Sequence, residues 1–251
     1  MTLEIITAPP LKGVRHGFFT RSGGASSGVF AGLNCGFGSS DQHDIVRINR
    51  ARVADAMGLP PAQLCGVHQI HSADVVVVDD VSDTSPKADA LVTREPGIGL
   101  SVLTADCQPV LFADVEQRVI GAAHAGWKGA LNGVLEATID QMVALGARRS
   151  KIAAVIGPSI SQTNYEVGAE FRDQFLAKDK THGRFFVHGR DTKFQFDLPA
   201  FGLHRLQTAG IANATWTRHC TYADPDRFFS YRRSVHRQEA DYGRLIAVIT
   251  L

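Results

Sequence analysis

Two hydrophobic rhythms alternate along the chain. Short, nearly continuous apolar runs predict strands at His16–Thr20, Val75–Val78, Ile98–Thr104, Val110–Ala113, Val119–Ala123, Ile152–Ile156, Ala214–Arg218 and Leu245–Leu251. Their β-branched content suits a pleated, buried surface. Between them lie stretches with apolar residues three and four apart, the spacing of one helical face. Asp44–Met57 carries Ile45, Ile48, Val53 and Met57 among charges, with Pro60-Pro61 beyond its end. Leu131–Leu145 and Leu198–Ala209 are further amphipathic helices, each followed by a glycine, Gly146 and Gly210; glycine accepts the left-handed backbone at a helix end. Glu170–Leu176 predicts a shorter helix, and Ser22-Gly23-Gly24, Gly36–Ser40 and Gly126–Gly129 predict turns. Strand and helix do not alternate strictly. The expected fold is therefore α/β: a layered sandwich with a mixed β-sheet, rather than a dinucleotide-binding fold or a barrel.

No repeat, low-complexity tract or long linker interrupts the 251 residues, so residues 1–251 are expected to form a single domain. Basic and acidic residues nearly cancel, 26 against 25. A balanced chain has no long-range field to hold a nucleic-acid backbone or an anionic membrane. The N-terminus lacks a basic segment followed by an apolar run, and nothing approaches the ~20 apolar residues of a membrane span. Four scattered cysteines with no Cys-x-x-Cys pairing read as thiols rather than a disulfide framework. The expected location is cytoplasmic.

Three residues sit where predicted strands end: His71 in QIHSADVV, Cys107 in TADCQP and His124 in AAHAGWKG. If the fold joins them, they make a His₂Cys set with one coordination position left for a substrate, as in catalytic zinc sites. Zn²⁺ suits imidazole plus thiolate, and copper could bind the same donors. The same residues allow a metal-free reading, with Cys107 as nucleophile and His124 as its base. Asp106 could orient that histidine only if its side chain turned inward, whereas neighbours on an extended strand face opposite ways. His68 is left outside the ligand set because strand spacing separates it from His71. For anions, Arg21 beside Ser22-Gly23-Gly24, Lys128, and Arg232 or Arg233 after FFSY are candidates, since forked guanidiniums and turn amides suit phosphate. Asn34 is a candidate polar contact.

The segments HGFFTRSGGASSGVFAGLNCG, NRARVADAMGL, QIHSADVV, ADALVT, LTADCQPVLFAD, AAHAGWKGALNGVLEATIDQM, IGPSISQTNYEVG and FFSYRRS with YGR together resemble the YfiH-like laccase-domain family. That family is also known as multicopper polyphenol oxidoreductases or peptidoglycan-editing factors. The resemblance implies a sandwich like that of cytotoxic-necrotising-factor-type hydrolases, and a zinc site on His71, Cys107 and His124. It also implies purine nucleoside chemistry with phosphate as co-substrate: phosphorolysis of adenosine, inosine and methylthioadenosine, and deamination of adenosine. The alternative is a cysteine hydrolase or amidase of peptidoglycan editing, with Cys107 as nucleophile. The oxidase label fits the residues poorly, because the 10 histidines include no His-x-His pair and one His₂Cys site cannot hold several coppers. The Glu of His-x-Glu and the Cys-x-x-Cys used by cytosine-type deaminases are also missing.

Overall fold

The computed structural model describes residues 2–81 and 85–251. In chain order its elements are β1 (Ile5–Ile6), β2 (Arg15–Phe19), α1 (His43–Ala56), β3 (Leu64–Cys65), β4 (Val75–Val77), β5 (Ala90–Thr93), β6 (Gly99–Thr104), β7 (Gln108–Asp114) and β8 (Val119–Ala125). Then follow α2 (Trp127–Asn132), α3 (Val134–Ala144), β9 (Ala153–Ile156), β10 (Glu166–Val167), α4 (Ala169–Lys178), β11 (Phe186–His188), β12 (Phe194–Phe196), α5 (Leu198–Thr208), β13 (Asn213–Trp216), α6 (Tyr231–His236) and β14 (Leu245–Thr250).

Two mixed sheets dominate. One runs β1-β2-β14-β6-β3 and the other β13-β9-β7-β8-β5-β4; a small third sheet runs β10-β12-β11. The two-residue period of a strand explains how they stack. In β7, Leu111 and Ala113 join Leu100, Val102, Ala247 and Ile249 in a core between the two large sheets. The alternate residues Val110 and Phe112 pack the other way, with Val134, Leu135, Ile139 and Met142 of α3 and Phe201 and Leu206 of α5. In β14 the alternates Ile246 and Val248 meet Val53, Ala54 and Met57 at α1. The order of layers is thus helix, sheet, sheet, helix. Central strands covered on both faces are mostly apolar, which is why they read as nearly continuous runs.

The differences from the expected elements are local. The helix expected over Leu131–Leu145 is two helices that start earlier, at Trp127, and break at Gly133, whose φ of 99° closes α2 in the left-handed region. A β-carbon would resist that angle. Strands β1, β3 and β5, the three short strands β10 to β12 and helix α6 have no counterpart among the expected elements. Each is at most six residues long, too short for a periodic pattern. In α6 the Ser230 side chain accepts a hydrogen bond from the Arg233 amide and starts the helix.

Candidate metal centre and its cavity

Two loops and the end of a strand deliver the site. Cys107 lies between β6 and β7, in the turn that reverses the chain from one large sheet into the other. The turn passes through Asp106 at φ 85°, a conformation that costs energy for a residue with a side chain and persists only when its surroundings hold it. Those surroundings are explicit. The buried Asp106 carboxylate accepts from Thr221 Oγ1 at 2.6 Å, Ser230 Oγ at 2.9 Å and the Arg232 amide at 2.7 Å. Asp106 therefore anchors the turn through Thr221, Ser230 and Arg232; it stands in the turn itself rather than on an extended strand, so these bonds and not strand alternation fix its role.

His124 is the penultimate residue of β8, directly opposite Pro109 of β7. His71 lies before β4, itself in the left-handed region at φ 61°. One residue organises both histidines: Asp89, fully buried immediately before β5. Its Oδ1 is 2.8 Å from Nδ1 of His124. Its Oδ2 accepts the amides of Ile70 at 3.1 Å and Ser72 at 2.5 Å, the two neighbours of His71. With Nδ1 occupied, His124 presents Nε2 to Cys107. Within ADALVT, Asp89 matches no ligand spacing or catalytic motif. Its signal was a lone acid beside a buried apolar run, a position where a carboxylate needs partners.

The donor atoms of His71, Cys107 and His124 all lie within 4.8 Å of one another. The two imidazole rings meet edge to face, with centroids 4.8 Å apart. His71 is exposed, Cys107 half-buried and His124 buried. The thiol and imidazole are strongly coupled. Burial pushes the Cys107 thiol up, but His124 and His71 outweigh it and hold the thiol down at about 7. Burial pushes the His124 imidazolium down, yet the Cys107 sulfur and the Asp89 carboxylate raise it to about 9. Burial likewise pushes Asp89 up, and the bonds from His124, Ser72 and Ile70 bring it down to about 2.

These residues fit a small soft-to-borderline metal ion. Two neutral imidazole nitrogens and a readily ionised thiol are the donor set zinc or copper takes. A histidine ligand whose far nitrogen is held by a carboxylate is the usual supporting arrangement. Space is also kept open: a β-carbon on Gly126 would stand 2.8 Å from Cys107 Sγ and 3.1 Å from His71 Cδ2. Gly126→Ala is accordingly expected to fold while binding metal at least ~10-fold more weakly, as for other changes that misplace ligands. Competition with a chromophoric chelator would measure this, and unchanged affinity would show that the gap at Gly126 is not needed. Among the described residues no other group of three His, Cys, Asp or Glu side chains could hold a metal.

The cluster opens into a cavity of about 1120 Å³, walled by Tyr231 and Tyr242 on one side and reaching Arg50 and Arg244. The two tyrosine rings lie 5.1 Å apart at 57°. The other expected contacts do not line this cavity. Arg21 stacks on Phe229 at 4.4 Å, donates to the Ala31 and Pro225 carbonyls, and borders a separate cavity of about 160 Å³ with Arg233 and Arg237. Asn34 is fully buried and spends its amide on Ser39, Asp41, Gly36 and Arg244. Lys128 is exposed on α2, with its ammonium 5.4 Å from the Trp127 ring. Arg232 donates to the Glu166 carbonyl at 2.6 Å and lies over Tyr165. Arg21 and Arg232 share a physical reason. For the two arginines that reason is the use of their donors on backbone carbonyls, Ala31 and Pro225 for Arg21 and Glu166 for Arg232.

A layered α/β sandwich with a His–Cys–His cluster at the wall of an aromatic-lined cavity defines the class. The chain belongs to the YfiH-like laccase-domain family: the model for "multi-copper polyphenol oxidoreductase laccase" matches residues 15–251. A Deinococcus radiodurans protein named purine nucleoside phosphorylase is 40% identical over 250 residues, covering 99% of this chain and 93% of its own length. Purine nucleoside phosphorylase YfiH of Escherichia coli is 37% identical, with 90% of each chain covered. Among solved structures, a Neisseria meningitidis protein superposes with a TM-score of 0.89 at 34% identity, over 100% of this chain and 99% of its own. YlmD of Geobacillus stearothermophilus gives 0.87 at 28% identity, over 97% and 93%. No helix among the described residues is long and apolar enough to cross a membrane.

Proposed function

We propose that this chain is a zinc-dependent purine nucleoside enzyme. It would cleave adenosine, inosine and methylthioadenosine with phosphate, and deaminate adenosine. The observation that carries this reading is the convergence of His71, Cys107 and His124 on one point at the wall of a cavity of about 1120 Å³. That volume exceeds what a drug-sized ligand needs, leaving room for a nucleoside and phosphate together. The names of the relatives support the substrate class.

In phosphorolysis a phosphate oxygen bonds to the ribose C1′ while the glycosidic bond breaks. The bond's electron pair leaves with the purine, which then takes up a proton. In deamination water replaces the exocyclic amine, and ammonia departs. Tyr231 and Tyr242 offer flat apolar faces beside the cluster, suited to holding a purine ring. Asp89 holds His124 in the tautomer that turns Nε2 toward the reacting region. When bound, zinc would supply Lewis acidity at the point where the three side chains meet.

One observation favours a second reading. Cys107, His124 and Asp89 stand in the order nucleophile, base and orienting acid, with the thiol lowered to about 7. A metal-free amidase acting on peptidoglycan-like substrates would use that order.

One experiment separates the two. Metal content is measured on protein purified without added metal, alongside phosphate-dependent base release from adenosine and inosine. About one zinc per chain with release of adenine and hypoxanthine is the expected result. Metal-free protein that releases no base, while its Cys107 thiol alkylates increasingly as pH rises through 7, would favour the amidase. The fully buried Cys35, its thiol pushed up to about 12 by burial, is an internal unreactive control.

A further inference from the structure

A phosphorolytic cavity needs a cationic end for its anion, and the residues that suggested one in sequence lie elsewhere. The cavity wall itself carries two guanidiniums, Arg50 from α1 and Arg244 just before β14. Both are built onto one glycine-flanked segment. Arg50 lies over the Phe37 ring at 5.6 Å. The Arg244 side chain packs on Gly36, where an added β-carbon would stand 2.4 Å from its Cδ. The Cys35 amide donates to the Arg244 carbonyl at 3.1 Å.

Arg50 is the unusual member. It forms no ion pair with any carboxylate among the described residues; its only bonds are to the carbonyls of Cys35 at 3.4 Å and Leu64 at 3.5 Å. Both are at the long limit of a hydrogen bond. Its surroundings depress the guanidinium, burial first, and the nearby groups that favour its charge are only the thiols Cys35 and Cys65. A half-buried cation without a counter-ion is costly unless a ligand supplies the charge. Arg244 differs: Asp241 and the Tyr242 carbonyl engage its Nη1 at 3.2 and 2.7 Å, which fixes its orientation. The amides of Phe37 and Gly38, on the same cavity wall, donate to no acceptor among the described residues. Asp80 is the carboxylate that also lines the cavity, and it pairs with neither arginine.

We propose that Arg50, with Arg244 and the backbone of Gly36–Gly38, forms the subsite for inorganic phosphate in this cavity. The proposal rests on the phosphorylase reading for its biological meaning, but not for its test. A forked guanidinium and free turn amides match a tetrahedral oxyanion, and Arg50 gains the counter-charge it lacks.

The test is calorimetric titration of inorganic phosphate into the metal-loaded wild type, Arg50→Gln, Arg50→Lys and Arg21→Gln, with metal content and near-ultraviolet circular dichroism confirming the fold. Arg50→Gln is expected to weaken phosphate binding by on the order of 10- to 100-fold, the worth of a charge-assisted bond. Arg50→Lys keeps the charge without the fork. It should fall between wild type and Arg50→Gln, and it decides the matter if the glutamine variant misfolds. In turnover, the KM for phosphate should rise while the KM for nucleoside stays within about twofold, because the fork touches only the anion. Wild-type affinity in both Arg50 variants, loss confined to Arg21→Gln, or a wild type that binds no phosphate would each overturn the subsite. A wild type that binds phosphate through Arg50 yet releases no purine would keep the subsite and overturn the phosphorylase reading.

Discussion

Replacing Cys107 by alanine is expected to remove the metal and to lower base release by on the order of 10³-fold, the several kcal/mol that Lewis-acid assistance contributes. The expectation follows from the donor set. Cys107 is its one anionic member, and without it two imidazoles face each other with centroids 4.8 Å apart. The fold should survive, because the half-buried thiol belongs to no core cluster and the turn is held by Asp106 rather than by the sulfur. Elemental analysis, the rate of base release and a thermal melt check the three parts separately. A Cys107→Ala protein with wild-type metal content would remove the thiolate from the ligand set and return the site to a purely histidine one.

Asp89→Asn should produce the second-largest effect, and its cause is a count of donors. The carboxylate accepts from three: His124 Nδ1 and the amides of Ile70 and Ser72. Asparagine offers one oxygen and one NH₂ group. If the NH₂ faces Ile70 and Ser72, the loop that carries His71 is pushed outward. If it faces His124, Nδ1 must accept, Nε2 then carries the proton, and the histidine can no longer donate its lone pair to a metal. Either way the metal affinity is expected to fall by about 10–100-fold. Breaking a buried ionic network costs about 3–5 kcal/mol of stability, which denaturant titration would measure. The sign with pH is fixed by the depressed acidity of Asp89. Its stabilising contribution is present above the ordinary carboxyl value and is lost as pH falls through about 2. The variant's acid limb should therefore be flatter than the wild type's between pH 4 and 2. An unchanged metal affinity and acid limb would mean that Asp89 does not position the histidines.

Much of the fold was legible because the central strands and long helices have strong local patterns. The apolar run Val119–Ala123, the β-branched end of the chain and the helical spacing in Asp44–Met57 all appear as β8, β14 and α1. Helix α3 shows the limit. Its apolar face was visible, but the break at Gly133 was not, because glycine inside a periodic run is compatible with both a continuous helix and a left-handed cap. Helix α6 and the short third sheet were invisible, since they owe their existence to a capping hydroxyl and to neighbouring strands rather than to their own periodicity.

The site divides in the same way. His71, Cys107 and His124 could be named from the chain alone, because ligand chemistry belongs to residue type and each stands at the edge of a recognisable strand. Asp89 and Arg50 could not. An aspartate's role depends on which donors the fold aims at it, and an arginine's on whether a carboxylate is within reach. Arg21 and Arg232 looked like anion binders beside their turn and aromatic run, yet tertiary packing spends them on carbonyls from distant parts of the chain. Residue chemistry and local periodicity are properties of short segments, so the sequence by itself determined the layered α/β class and named the three donor residues, whose joining only the family resemblance implied. Which carboxylate aligns them, where the cavity lies and which arginine is left without a partner depend on side chains far apart in sequence. Only the packing of the two sheets and their helices decided those.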